Sequence, residues 1–134
     1  MAGTDTKTDP MTEIRDYEAN CNGSENVYSH WTRRLVYTDG VKFVADKVGA
    51  HWLVDAIASH QMTPKVRAEV FQHWTLTKNK KGSGAVLTAN DGGKGNGPVT
   101  VAKQKIEFTD FPLPAGGTIE FFLEDGVLML KAER

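Results

Sequence analysis

Four histidines are the side chains best able to do chemistry near neutral pH, because an unperturbed imidazole titrates there. His30, His51 and His73 each precede a tryptophan, a pattern that would gather three imidazoles beside one apolar cluster if the fold brings the dipeptides together. His51 and His60 lie nine positions apart, so they do not stack one turn apart, and the paired-histidine spacing of a helical zinc site is absent. Joined to Glu25, Asp39 or Asp55, a histidine would make a carboxylate–imidazole pair capable of acid–base work. The catalytic candidates are therefore His30, His51, His73, Asp39 and Asp55, each with a structural alternative. Asp39 also suits a helix cap, Asp55 a tie to a neighbouring loop, and the histidines ordinary surface or core positions. The single cysteine, Cys21, excludes an intrachain disulfide and a Cys-rich zinc site, and no nucleophile signature surrounds it. Gly93-Lys94-Gly95-Asn96-Gly97 superficially suggests a phosphate cradle, but Pro98 and a strand pattern follow where a P-loop needs Lys-Ser or Lys-Thr opening a helix. It reads as a hairpin tip. No metal and no cofactor are expected.

These residues must be positioned by elements whose periods are legible. Residues 1–20 are polar at first and read as a disordered tail, although Met11, Ile14 and Tyr17 are spaced for a short helix starting near Thr12. A single domain is expected over 21–134, with Ser24 capping a short helical turn. Over 38–61, Val41, Val44, Val48, Trp52, Ala56 and Ile57 recur at helical steps, so one long helix is predicted, capped by Asp39 and marked by Gly49 as a kink or close contact. Thr63-Pro64 signals a second start. From Val70 the period becomes two. Five strands are predicted, over 70–77, 85–89, 99–108, 119–123 and 127–130, with Asp125-Gly126 as a hairpin turn and Phe111-Pro112-Leu113-Pro114 as a break. Helices first and strands after imply an α+β fold, with N-terminal helices packed on one face of a roughly five-stranded antiparallel meander sheet.

The blocks Gly23-Ser24-Glu25-Asn26-Val27-Tyr28-Ser29-His30, Tyr37-Thr38-Asp39-Gly40-Val41-Lys42, the stretch from Gly49 to Ser59, Phe71-Gln72-His73-Trp74, Phe108-Thr109-Asp110-Phe111-Pro112-Leu113 and Val127-Leu128-Met129-Leu130 carry a resemblance. Together they resemble a family of small bacterial proteins of unknown function whose members occur in bacterial, plasmid and phage genomes. His51 stands where that family usually has an aromatic residue, and the Gly/Lys-rich segment 90–97 is longer than usual. The resemblance implies no activity and no catalytic residue. It implies an accessory role connected with mobile genetic elements, such as an inhibitor or counter-defence factor.

The 134 residues carry 16 Lys plus Arg against 17 Asp plus Glu, so no global positive field draws the chain to nucleic acid. A local one remains open at Lys78, Lys80 and Lys81, with Lys94, Lys103 and Lys105 near by. No apolar run is long enough for a membrane helix and no secretory pattern opens the chain, so a cytoplasmic protein is expected. Phe121-Phe122-Leu123 and Val127-Leu128-Met129-Leu130 are apolar at successive positions, so both faces of this hairpin carry apolar side chains. Phe122, Leu128 and Leu130 are assigned to one face and Phe121, Leu123, Val127 and Met129 to the other, with one face left for a protein partner or a second copy. The expected function is a non-enzymatic macromolecule-binding module. The alternative is a small hydrolase or nuclease using a His/Asp pair.

Overall fold

The computed structural model describes residues 9–21, 26–93 and 97–134. In chain order the elements are α1 (Pro10–Asn20), β1 (Val27–Ser29), β2 (Val36–Thr38), α2 (Asp39–Val48), α3 (His51–His60), α4 (Pro64–Arg67), β3 (Phe71–Lys78), β4 (Ala85–Asn90), β5 (Thr100–Ile106), β6 (Thr118–Glu124), β7 (Val127–Leu130) and a final 3₁₀ turn (Lys131–Glu133). The fold is α+β. Its sheet has seven strands in the order β1-β2-β7-β6-β3-β4-β5, and is mixed rather than purely antiparallel because β2 runs parallel to β7. The five predicted strands are present. The two additional ones are three-residue segments, too short to display a period of two; β2 docks on β7 and β1 in turn pairs with β2. The meander also fails. Beyond β5 the chain returns through 107–117, where Phe111 and Leu113 plug into the core, and β6 then pairs with β3 on the side away from β4.

The expected tail is helical over Pro10–Asn20. Asp9 caps its first turn, Met11 and Ile14 are buried, and Tyr17 stacks on Phe43 with centroids 4.7 Å apart. Two or three apolar side chains at helical spacing suffice when the rest of the core supplies a surface for them. Residues 1–8 and Ser24 lie outside the described residues. The long helix expected over 38–61 is two helices. Gly49 takes the left-handed conformation, φ 65°, and its amide bonds the Ala45 carbonyl, which ends α2. The break re-phases the second half. Leu53, Val54, Ile57 and Ala58 are buried, while Trp52 and Ala56 are only partly so. Asp39 is not the cap. Thr38 holds that position, with its hydroxyl accepting from the Val41 amide, and Asp39 is the first helical residue.

The helices cover one sheet face, formed by Trp74, Leu76, Leu87, Ile119, Phe121, Leu123, Leu128 and Leu130. The facial grouping expected in the last hairpin is therefore incorrect. Asp125-Gly126 makes a two-residue turn with both φ angles positive, so Leu123 opposes Leu128 and Phe121 opposes Leu130. Residues directly opposite each other share a face. Leu128 and Leu130, at 0% exposure, belong to the core and cannot meet a partner. The outer face carries Phe122, which lies 5.1 Å from both Phe71 and His73 ring to ring and has the Arg134 guanidinium above it. Among the described residues, no helix is long and apolar enough to cross a membrane.

Candidate functional site

The sheet edge and α3 meet at the loop joining β1 to β2. His30 closes this loop, with its amide bonding the Leu35 carbonyl and its carbonyl accepting from the Arg33 amide. The ring of His30 is 4% exposed and satisfied on both sides. Its Nδ1 accepts from the Thr32 amide at 3.2 Å and lies 2.8 Å from the Thr32 hydroxyl. An acceptor Nδ1 places the neutral ring's proton on Nε2, which points at Asp55 Oδ1, 2.7 Å away. The same Asp55 oxygen accepts from Trp31 Nε1 at 3.1 Å. Asp55 projects from the middle of α3, one turn beyond His51, so both sit on the exposed stripe of that helix.

A cleft of about 300 Å³ results, lined by Ser29, His30, Trp31, Tyr37, His51 and Asp55 together with Val54. On one side His51 Nε2 lies 2.7 Å from Asp46, whose other oxygen accepts from Lys42. These two hydrogen bonds, that of Lys42 first, hold the Asp46 carboxyl below its ordinary pKa. On the other side Tyr37 stacks on Tyr28, whose hydroxyl donates to Asp39 at 2.8 Å, and that bond raises the tyrosine pKa. Trp31 is 78% exposed, and its ring lies against His30 at 5.4 Å between centroids.

Three of the candidates from sequence, His30, His51 and Asp55, thus line one cleft. Asp39 lies beyond it, tied to Tyr28 and the Asn26 amide. His73 is on the far face of the sheet, bonded to Glu120 at 2.8 Å, so the three His-Trp pairs do not form one cluster. His60 pairs with Gln104. Cys21 follows α1 and is partly buried; Glu25 and Lys94 lie outside the described residues. Lys78 donates to the Gly82 carbonyl at the β3–β4 turn, where Lys80 and Lys81 are exposed. Among the described residues, no three His, Cys, Asp or Glu side chains converge as metal ligands. Sequence reasoning missed Thr32 and the exposure of Trp31. The usable signals were a threonine two residues after a histidine, a spacing suited to a side-chain turn, and the four-residue step from His51 to Asp55.

The His30 proton is directed to Asp55, and the Thr32 hydroxyl, which bonds the other side of this ring, is not among the cleft-lining groups. The profile of a family of unknown function, DUF6876, matches residues 12–134. The chain belongs to this family. No curated protein and no solved structure matches it.

Proposed function

We propose that the protein is a non-catalytic binding module that contacts another protein through Trp31 and the adjoining edge strand β1. The observation carrying this reading is that Trp31 is 78% exposed, yet its indole is fixed by Asp55 and braced by the His30 ring. A large aromatic held in place loses little freedom when covered, and such residues dominate binding energies at protein interfaces. Beside it, Val27 is exposed on β1, which among the described residues ends the sheet and pairs with β2 alone. An edge strand next to an anchored tryptophan suits strand addition by a partner segment, with the ring filling a pocket. The proposal includes an accessory setting connected with mobile genetic elements, as an inhibitor or counter-defence factor, for which the resemblance of the sequence blocks is the sole ground.

The second reading, a small hydrolase or nuclease, has the 2.7 Å contact between His30 and Asp55 in its favour. One substitution separates the two. Asp55→Asn keeps an oxygen that accepts from both His30 and Trp31, so binding stays within a few-fold of wild type. A catalytic pair loses orders of magnitude, because the carboxylate no longer stabilises an imidazolium. Trp31→Ala weakens capture of a purified host partner at least about tenfold under the binding reading, as for an interface hot spot. Full binding by Trp31→Ala refutes that reading. Turnover of a phosphodiester or ester panel that disappears in Asp55→Asn establishes the other.

A further inference from the structure

The same loop presents arginines on a different side. Arg33 and Arg34 meet Arg67, the last residue of α4, around a cleft of about 420 Å³ whose remaining rim includes Glu69 and Asp125. All three arginines are exposed, and none makes an ion pair or side-chain hydrogen bond with a described residue. That is unusual company, because the other two arginines described, Arg15 and Arg134, both have carboxylate partners.

The floor of the cleft is rigid. Gln61 and Gln72 are buried and exchange amide bonds at 2.8 and 2.9 Å, Gln72 also donates to the Val66 and Glu69 carbonyls, and Trp74 donates to Gln72. Every polar atom there is occupied, so the floor supports a ligand without competing for it.

Arg33 carries a backbone signal as well. Its φ is 60°, and the only other described non-glycine residue with positive φ is Asp125, in the hairpin turn where such angles are required. Glycine or asparagine ordinarily fills a left-handed position. An arginine held there directs its guanidinium at the expense of backbone comfort, a pattern found at ligand sites.

We infer that this cleft binds a phosphorylated small molecule, with the phosphoryl oxygens taken by Arg33, Arg34 and Arg67 and a hydroxyl or amino group of the same ligand donating to Asp125. Three guanidinium forks match the several oxygens of a phosphoryl dianion. A single carboxylate, with two oxygens and one charge, would engage fewer of the three guanidinium groups than a phosphoryl dianion does. The volume falls in the range for small ligands rather than for a strand of nucleic acid.

The test is calorimetric titration of the full chain with inorganic pyrophosphate and with AMP, beside a single-stranded oligonucleotide. Saturable binding of either small probe is expected, weakened at least about tenfold by Arg67→Gln and not restored by Arg67→Lys, which lacks the fork. Arg33→Gly serves as the folding control: it is expected to raise the melting temperature by relieving the left-handed residue while weakening both probes. Arg15→Gln, on the distant α1, is expected to bind as wild type does. No heat from either small probe at millimolar concentration overturns the inference, as does undiminished binding by Arg33→Gly and Arg67→Gln. Binding of the oligonucleotide alone overturns it in favour of nucleic acid.

Discussion

Glu133 joins the C-terminus to the start of α2, and removing its side chain is a sharp test of how the fold is held. Its carboxylate accepts from the Thr38 hydroxyl at 2.6 Å, the Gly40 amide at 3.1 Å and the Leu130 amide at 2.8 Å. Gly40 lies in the first turn of α2, where amides have no intrahelical acceptor and where negative charge is favoured by the helix dipole. Loss of a helix cap costs about 0.5–2 kcal/mol, and loss of charge at this end a further ~0.3–1 kcal/mol. Water reaches the half-buried site and replaces part of the remainder, so Glu133→Ala is expected to cost about 2 kcal/mol. With a urea dependence of about 1–3 kcal/mol per molar, the midpoint falls by roughly 1 M at unchanged slope. Glu133→Gln keeps an acceptor oxygen and is expected to lose about half as much. Urea denaturation followed by far-ultraviolet circular dichroism measures both. A Glu133→Ala midpoint within about 0.2 M of wild type refutes the claim that this carboxylate caps α2.

Leu128→Glu and Phe122→Glu separate the two sheet faces. The first places a charge at a fully buried site and is expected to unfold the chain, at a cost above ~4 kcal/mol, whereas the second disturbs only a half-exposed ring cluster, at about 1–2 kcal/mol; circular dichroism and thermal melting read both, and a folded Leu128→Glu protein contradicts the assigned register. Asp39→Ala is expected to loosen β1, through loss of the Tyr28 and Asn26 bonds, without fraying α2, so amide exchange should quicken over 26–29 and not over 41–44. Asp46 gives a pH dependence: its folded pKa lies below the ordinary value of 3.8, so its contribution is present above that value and is lost as pH falls through the lower folded pKa. The stability difference between wild type and Asp46→Asn should therefore shrink below about pH 4, and a difference that grows on acidification contradicts the Lys42–Asp46–His51 contacts.

What was legible in the sequence was whatever depends on near neighbours. The alternation through Gln72, Trp74 and Leu76 marks a strand because each residue's burial is decided by its own parity. Asp125-Gly126 marks a turn because its two left-handed angles suit those residue types. Long-range choices were hidden. Glu133 is separated from Gly40 by 93 positions, and no local pattern announces that it takes the Gly40 amide beside the Thr38 cap. β1 and β2 have no amphipathic period of their own; β2 depends on β7 and β1 on β2. The facial assignment of Leu128 failed for a different reason. It followed parity along each strand, while the pairing across the turn decides which residues of the two strands share a face.

The candidate site shows the same division at closer range. Sequence could nominate His30 and Asp55, but they are 25 positions apart and meet only because Gly49 ends α2 and re-phases α3, turning Asp55 outward toward the β1–β2 loop. With Gly49 in an ordinary helical conformation, 38–61 would continue as one helix and Asp55 would occupy a different azimuth relative to Trp31. The anchoring of Trp31 thus rests on one left-handed glycine outside the cleft lining, and the aim of Arg33 on a left-handed residue within the loop. The loop from Trp31 to Arg34 accordingly offers an aromatic surface at one cleft and guanidinium groups at another, and what orients each is backbone geometry rather than any local motif.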